Sequence, residues 1–274
     1  MKKLLLLLLF IPLVSFGQTL PKKISETEFS IGKSIKIESK ILDEIRDLNI
    51  YLPLNYSADS LKTYPVVFLL DGSKDEDFIH ISGIVQFGSF SWINMVPESI
   101  VVGIGNVDRK RDFTSPSQNE LDQKEFPTSG KSDKFIRFLQ NEIQPYIDSD
   151  YRTNNIKTII GQSLGGLLAT EILLKNPELF DNYIIVSPSM WWNDEKLLQT
   201  KPKPYDSNKS IYIAVGKEGE TMERTTKELY NKLNKKENTT LFFKFMKNKT
   251  HGDALHNAVY NAFELIFKDK QEMK

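Results

Sequence analysis

The sequence predicts an α/β fold with a mostly parallel central sheet, antiparallel N-terminal strands and helices on both faces. Two observations lead to this fold class. Two segments near the start alternate between apolar and polar residues, which is typical of half-buried antiparallel strands. The rest of the chain alternates short continuous apolar runs with helical patterns, and this order is expected of an α/β sandwich.

The two N-terminal strands are predicted from this period-two alternation. Residues that share a face are Ile35, Ile37, Ser39 and Ile41 in the first segment, and Leu48, Ile50 and Leu52 in the second. Five continuous apolar runs follow, at residues 65–70, 100–104, 158–160, 183–186 and 211–215. Such runs indicate strands that are buried on both faces, as in a parallel sheet covered by helices. A last strand is predicted over residues 241–245.

Helical patterns lie between these strands. One stripe at helical spacing consists of Phe135, Phe138, Leu139, Ile143, Tyr146 and Ile147. Further helices are predicted over residues 164–174, 221–233 and 253–267. Residues 106–129 include Pro116 and Pro127 and show little periodicity, so a long loop is expected there. A loop of that length inside a compact domain usually serves a function.

Residues 1–17 are predicted to be a secretory signal peptide. Two lysines precede an unbroken apolar run over residues 4–14, and Ser15-Phe16-Gly17 follows. A run of about 11 residues is short for a membrane-spanning helix, which needs roughly 20. An uncleaved anchor is the alternative. We expect an exported protein, periplasmic or secreted, with no membrane span after signal cleavage.

The mature chain is expected to start near Gln18, with a polar lead-in over residues 18–28 and a single catalytic domain over residues 29–274.

The composition of the chain excludes several classes of function. The 36 basic residues are balanced by 36 acidic ones, so no basic excess is present to bind nucleic acid. The chain has no cysteine, which excludes disulfides, thiolate catalysis and cysteine-based metal sites.

The motif that carries chemistry is Gly161-Gln162-Ser163-Leu164-Gly165, followed by Gly166. The letters alone are a weak signal, but they lie where a buried strand meets a helix, which is the context of the nucleophile elbow of α/β hydrolases. Small neighbours let strand and helix pass closely, and the hydroxyl stands at a helix N-terminus that favours negative charge. We therefore predict an α/β-hydrolase sandwich with Ser163 as nucleophile. An inert serine in a glycine-rich turn is the alternative.

A serine hydroxyl needs a base, which in this fold is a histidine that follows the serine and the acid along the chain. The chain has three histidines. His80 precedes Ser163 and fails this order. His251 is predicted as the base because it lies after the last strand, beside Gly252, where its side chain can reach over the carboxyl edge of the sheet. His256, inside the following helix, is the alternative.

The acid must orient the imidazole and support its charge. Glu218 is predicted for this role, because it leaves the end of a strand between two glycines, in a turn that can aim a side chain at the site. Glu220 lies at a helix start, where a carboxylate also interacts with the helix dipole. Asp194, in the loop after the preceding strand, is the third possibility.

Two backbone N–H groups are predicted to form the oxyanion hole. One belongs to Leu164, the residue after the nucleophile. The other is expected in the turn Leu70-Asp71-Gly72-Ser73, where glycine permits close approach of the backbone to a ligand. We predict that the backbone N–H of Ser73 is this second donor.

Six spaced segments are together more specific than the elbow. They are Leu69-Leu70-Asp71-Gly72, Val101-Val102-Gly103-Ile104, Arg109-Lys110-Arg111-Asp112-Phe113, Gly161-Gln162-Ser163-Leu164-Gly165-Gly166, Ser187-Pro188-Ser189-Met190-Trp191-Trp192 and Thr250-His251-Gly252. On these segments, from about residue 35 to 267, the chain resembles the putative-esterase family of α/β hydrolases. This group includes the enterochelin and salmochelin esterases, esterase D and carbohydrate-acyl esterases.

The resemblance implies that Ser163 and His251 are catalytic. Members of that family often carry an acidic residue just before the histidine, whereas this chain reads Asn248-Lys249-Thr250. The departure leaves the substrate class open.

Trp191 and Trp192 follow a buried strand, at the sheet edge where ligands bind in α/β folds. They are predicted either to form a wall of the substrate pocket or to pack beneath the long loop. Arg109 and Arg111 are expected to pair with their acidic neighbours rather than to attract an anionic substrate. These neighbours are Asp108 and Asp112.

Together these features predict an exported serine esterase that hydrolyses a carboxylic ester through a Ser-His-acid triad and an acyl-enzyme intermediate. The expected partner is a small-molecule ester, with siderophores and acylated sugars as candidates. No cofactor, metal or nucleic acid is expected, and the oligomeric state stays open. An acyltransferase or a non-catalytic ligand-binding protein of the same fold is the alternative, and a peptidase is the third.

Overall fold

A computed structural model of the protein describes residues 20–56, 61–233 and 238–268. The predicted signal peptide and the start of the lead-in lie outside the described residues. The chain divides into a short unit that ends at Ser30, whose described residues contain no helix or strand, and a compact unit that starts at Ile31. Within the described ranges, no helix is both long enough and apolar enough to cross a membrane.

One sheet contains eight strands of the described chain. They are β1 (Lys33–Ser39), β2 (Glu44–Tyr51), β3 (Tyr64–Leu69), β4 (Ile100–Ile104), β5 (Thr153–Gln162), β6 (Asn182–Val186), β7 (Lys209–Gly216) and β8 (Thr239–Met246). Their order across the sheet is β1-β2-β4-β3-β5-β6-β7-β8. β2 pairs antiparallel with β1 and with β4, and the other pairs are parallel. The predicted fold class is confirmed.

Helices connect the strands. They are α1 (Phe78–Gly88), α2 (Arg109–Phe113), α3 (Glu120–Glu125), α4 (Ser132–Phe138), α5 (Gln144–Asp150), α6 (Leu164–Lys175), α7 (Trp192–Gln199), α8 (Glu220–Leu233) and α9 (Leu255–Phe263). A π-helical segment, Leu139–Ile143, joins α4 to α5, so the apolar stripe predicted there lies on a continuous helical stretch. A second π-helical segment, Glu264–Lys268, extends α9, and a 3₁₀ turn, Pro177–Leu179, follows α6.

Apolar layers cover both faces of the sheet. In β3, Val66 and Phe68 belong to one layer, whereas Val67 and Leu69 belong to the other. Side chains alternate between the two faces of a strand, so a strand that is covered on both sides reads as a continuous apolar run. Helices α1 and α9 contribute to one layer, and the other includes residues of α4, α6 and α8.

Residues 106–129, expected to be a loop, contain the short helices α2 and α3. The carboxylate of Asp108 accepts a hydrogen bond from the Arg111 N–H at 3.0 Å and caps α2. The side chain of Asn119 caps α3 by accepting from the N–H groups of Leu121 and Asp122, at 2.8 and 3.2 Å. Polar capping rather than apolar periodicity marks these helices, which explains why the periodicity did not predict them.

Candidate active site

Ser163 occupies a strained turn between β5 and α6. Its backbone has φ 58° and ψ −120°, a conformation that residues other than glycine rarely adopt. Small neighbours make the turn possible. A Cβ on Gly161 would lie 2.3 Å from the carbonyl oxygen of Gly165, and one on Gly166 would lie 3.0 Å from Pro188 Cα. This close passage of strand and helix is the geometry of a nucleophile elbow.

The carboxylate of Glu218 contacts the imidazole of His251, with 2.6 Å between Oε2 and Nδ1. Glu218 Oε1 accepts hydrogen bonds from the Ser187 hydroxyl at 2.5 Å and from the Gly216 N–H at 2.8 Å. The Glu218 side chain is 3% exposed, whereas that of His251 is 48% exposed. Burial acts to raise the pKa of Glu218, but the hydrogen bonds from His251, Ser187 and Gly216 outweigh it, and the pKa is lowered. Glu218 is therefore held as a carboxylate.

Ser163 and His251 line one cleft of about 340 Å³. The remaining lining residues are Asp71, Glu76, Asp77, Arg109, Gln162 and Gly252. The side-chain amide of Gln162 donates to the carbonyl oxygen of His251, which ties the residue before the nucleophile to the backbone of the predicted base. Ser163 Oγ lies 3.3 Å from Ser189 Oγ, and within the described chain no hydrogen bond joins it to His251. Catalytic hydrogen bonds often tighten only when the substrate binds.

The alternative base, His256, lies elsewhere. Its ring packs against that of His80 with 4.4 Å between ring centroids, and its Nε2 is 3.9 Å from a carboxylate oxygen of Asp77. Burial and the charge of His80 lower the pKa of His256. Because His256 does not line the cleft, the geometry favours His251.

The alternative acids, Glu220 and Asp194, make no hydrogen bond to His251 in the described chain. Glu220 is the exposed first residue of α8. A carboxylate oxygen of Asp194 accepts a hydrogen bond from the Asn119 side chain at 2.7 Å. The described residues also contain no group of three or more His, Asp or Glu side chains arranged to hold a metal ion.

Of the two predicted oxyanion donors, the structure brings only Leu164 next to Ser163. Leu164 is the first residue of α6, and its N–H donates to no acceptor among the described residues. Ser73 lies outside the cleft, in a neighbouring pocket, and its N–H faces a carboxylate oxygen of Glu76 at 3.4 Å. Asp71, two residues earlier, lines the cleft with a φ of 55°, and its N–H likewise has no acceptor in the described chain.

The tight crossing of Gly72 and β4 explains why Ser73 lies outside the cleft. The Gly72 N–H donates to the Ile104 carbonyl at 3.0 Å, and a Cβ on Gly72 would lie 2.3 Å from Gly103 Cα. The chain is thus held against β4 at Gly72, so that Ser73 follows on the side of the neighbouring pocket.

The two tryptophans pack beneath the segment over residues 106–129. Trp192 is buried, and its indole N–H donates to the Ser115 carbonyl at 2.9 Å. The Phe126 ring lies 5.3 Å from that of Trp192 and 6.1 Å from that of Trp191. Trp192 therefore supports the segment rather than the cleft, whereas a substrate contact by the half-buried Trp191 stays a prediction.

The two arginines also differ in their partners. Arg109 pairs with Asp71 rather than with Asp108, through contacts of 2.6 and 2.9 Å, and also donates to the Gln162 carbonyl at 3.2 Å. Arg111 pairs with Asp112, as expected, and with Glu44. The guanidinium of Arg109 thus braces the turn after β3 against Gln162, the residue before Ser163.

A family model described as putative esterase matches residues 39–265. The chain belongs to the putative esterase family. Ser163, Glu218 and His251 all lie within the matched residues, so the resemblance that the sequence showed is confirmed.

The chain is also similar to two proteins whose names describe hydrolases. The ferri-bacillibactin esterase BesA of Bacillus subtilis is 32% identical over 170 residues, which cover 57% of this chain and 58% of that protein. An IroE-like serine hydrolase from Shewanella oneidensis superposes with a TM-score of 0.78 at 29% identity, over 87% of this chain and 80% of that one.

A third likeness supports the fold alone. The BES protein from Bacillus cereus superposes with a TM-score of 0.79 at 24% identity, over 90% of this chain and 99% of that one. The two superpositions agree with the mostly parallel sheet and its antiparallel start.

Proposed function

We propose that this member of the putative esterase family is a serine esterase in which Ser163, His251 and Glu218 form the catalytic triad. The observation that carries the proposal is the 2.6 Å contact between Glu218 and His251 beside a serine in a strained elbow. A carboxylate that is buried and hydrogen-bonded on both oxygens can hold the imidazole in one tautomer.

The reaction follows from these positions. Ser163 Oγ attacks the ester carbonyl carbon while His251 Nε2 takes its proton, and Glu218 stabilises the resulting imidazolium. The oxyanion accepts hydrogen bonds from the N–H groups of Leu164 and Asp71. Return of the proton to the alcohol oxygen breaks the ester bond and leaves an acyl-enzyme. Water, activated by the same histidine, then releases the acid.

For the substrate we propose a siderophore-type ester. The support is the similarity to a protein named ferri-bacillibactin esterase, together with a cleft that is open to solvent at His251, the proposed catalytic base. Because His251 is 48% exposed, a bulky ester can reach the nucleophile without entering a closed pocket. The same exposure gives water access to the acyl-enzyme, which favours hydrolysis over acyl transfer.

We further propose that the protein is exported, on the basis of the basic and apolar pattern of residues 1–17.

A side-by-side assay tests the function. The purified protein is offered p-nitrophenyl acetate, a trilactone catecholate siderophore with and without Fe³⁺, and a peptide p-nitroanilide, with Ser163→Ala as control. We expect ester hydrolysis that Ser163→Ala abolishes, and no release of nitroaniline. Equal turnover by wild type and Ser163→Ala, or no turnover of any ester, would reject the proposal.

A further inference from the structure

The segment Ser187-Pro188-Ser189 lies between the two halves of the proposed triad. It follows β6, which pairs on one side with β5, the strand before Ser163, and on the other with β7, the strand before Glu218. Its two hydroxyl groups point in these two directions. Ser187 contacts Glu218, and Ser189 contacts Ser163.

Ser187 fixes the acid. Its side chain is buried, its φ is 44°, and its N–H donates to the Ala214 carbonyl of β7 at 2.7 Å. The hydroxyl donates to Glu218 Oε1 at 2.5 Å, beside the N–H of Gly216 on the same oxygen. With Oε1 held by two donors, Oε2 is left to face His251.

Ser189 fixes the nucleophile. It is buried, and its N–H donates to the Ser163 carbonyl at 3.0 Å while its hydroxyl lies 3.3 Å from Ser163 Oγ. Within the described chain, the hydrogen bond of the Ser163 hydroxyl is the one to the Ser189 hydroxyl. A hydroxyl that donates to Ser163 Oγ leaves the proton of Ser163 free to move to a base.

We infer that Ser187 and Ser189 are positioning residues that set the two ends of the triad, Ser187 the acid and Ser189 the nucleophile. The inference rests on the proposed function, since it concerns the rate and the pH dependence of that reaction. Neither serine needs to touch the substrate.

The two serines should leave different signatures. Loss of the Ser187 hydroxyl removes a donor that favours the charged form of Glu218, so the carboxylate becomes more basic and stabilises protonated His251 more strongly. The acidic limb of the pH–rate profile should then move to higher pH, by about half a unit, as kcat falls about tenfold with KM nearly unchanged. Loss of the Ser189 hydroxyl should slow acylation about three- to tenfold without moving the profile.

The test measures kcat and KM against pH for wild type, Ser187→Ala, Ser189→Ala and Ser99→Ala. Ser99 is the matched control: it is a buried serine that donates to the Pro97 carbonyl at 2.7 Å, next to the amino end of β4, and so at the opposite edge of the sheet. Ser187→Cys keeps the size of the side chain and a weak donor, and should give values between wild type and Ser187→Ala.

A second readout does not depend on a substrate. The proton signal of the His251 Nδ1–H in ¹H NMR should shift in Ser187→Ala and stay in place in Ser189→Ala and Ser99→Ala. An unchanged signal and an unchanged acidic limb in a folded Ser187→Ala would overturn the role of Ser187. Wild-type acylation rates in Ser189→Ala would overturn that of Ser189. If the wild type hydrolyses esters and one of these two results is found, only this inference is rejected. If the wild type hydrolyses no ester, the proposed function is rejected as well.

Discussion

The two histidines that follow Ser163 along the chain have different surroundings. His251 contacts Glu218 and lines the cleft, whereas His256 packs against His80. We expect His251→Ala to lower kcat/KM of ester hydrolysis by about 10⁴-fold or more, as far as Ser163→Ala, because nucleophile and base act as a unit. His256→Ala should stay within a few-fold of wild type. If steady-state kinetics show the two histidine variants in the reverse order, the base has been misassigned.

In the proposed triad, Glu218 orients the base and does not itself react. Glu218→Gln keeps the shape of the side chain and removes the charge, so its kcat should fall between those of wild type and Ser163→Ala. In a measured triad, loss of the acid costs about two orders of magnitude less than loss of the nucleophile or base. Glu220→Gln, on the exposed start of α8, is the matched control and should behave as wild type. A deeper loss in Glu220→Gln than in Glu218→Gln would contradict the assignment.

At the scale of single residues, the sequence predicted those features of the site that chain order and the ends of the strands determine. Ser163, Glu218 and His251 each follow a strand of the parallel set, and these strands end at one edge of the sheet. It did not predict the contacts of Ser187 with Glu218 or of Ser189 with Ser163, because these depend on rotamers and on the lateral order of β5, β6 and β7. The position of Ser73 outside the cleft depends on the crossing of Gly72 and β4, which no local pattern encodes.

At the scale of elements, a buried ionic network joins β2 to α2. The Arg46 guanidinium, whose side chain is 0% exposed, donates to Asp112 at 2.8 Å and to Glu44 at 2.7 Å. It lies 5.2 Å from the ring centre of Phe135. Asp112 also accepts hydrogen bonds from Arg111. The network fixes α2, the first helix of the segment that contains Arg109.

Breaking this network should be costly. We expect Asp112→Asn to lower the free energy of unfolding by about 2–3 kcal/mol, because it removes one of the two carboxylates that compensate the buried Arg46 and leaves only Glu44. Asp133→Asn is the matched control, since the Asp133–Arg137 pair is exposed on α4 and should contribute less than about 1 kcal/mol. Urea unfolding of both variants measures the difference. Equal urea midpoints for Asp112→Asn and Asp133→Asn would show that the buried network contributes no more to stability than the exposed pair.

Besides α2 and α3, the sequence patterns did not predict α1 and α7, for physical reasons. In α1, Phe78 and Ile81 are buried, but Ile79 and Phe87 of the same helix are exposed, so no single apolar stripe marks it. In α7, Asn193 and its two successors have positive φ, which no helical pattern predicts. Long-range contacts hold them, such as the hydrogen bond from the Gln118 N–H to the Asn193 side chain at 2.9 Å.

For the whole molecule, stability should depend on the charge of Asp77. Burial, followed by the negative charges of Asp71 and Glu76, raises the pKa of Asp77 to about 6. A carboxyl whose pKa is raised by folding destabilises the folded state once it ionises, so the penalty is absent well below pH 4 and complete above about pH 6. The Asp77 side chain is 28% exposed and makes no capping hydrogen bond to α1, so no such bond offsets this penalty.

Asp77→Asn should therefore stabilise the protein by about 1–3 kcal/mol at about pH 8, and the gain should shrink as the pH falls from about 6 to 4. Denaturant unfolding at several pH values measures this difference. Asp75→Asn, an exposed neighbour, is the control and should show no such trend. A gain that is constant with pH, or a loss at pH 8, would contradict the explanation.

Export concerns the whole chain as well. If residues 1–17 are a cleaved leader, N-terminal sequencing of protein from the native host should begin near Gln18. The same protein should be found in the periplasmic or secreted fraction. Intact Met1 in a cytosolic fraction would remove the prediction.

The positions of β5 and β8 in the sheet give the proposed nucleophile and the proposed base unequal local stability. β5 pairs with β3 and β6 and ends just before Ser163, whereas β8 pairs, among the described strands, with β7 and precedes His251. A strand with one partner opens more readily than a central one, because fewer backbone hydrogen bonds and apolar contacts must break. The base side can thus detach by local opening while the rest of the sheet stays folded. On warming, activity should then report the opening of β8 rather than the melting of the domain.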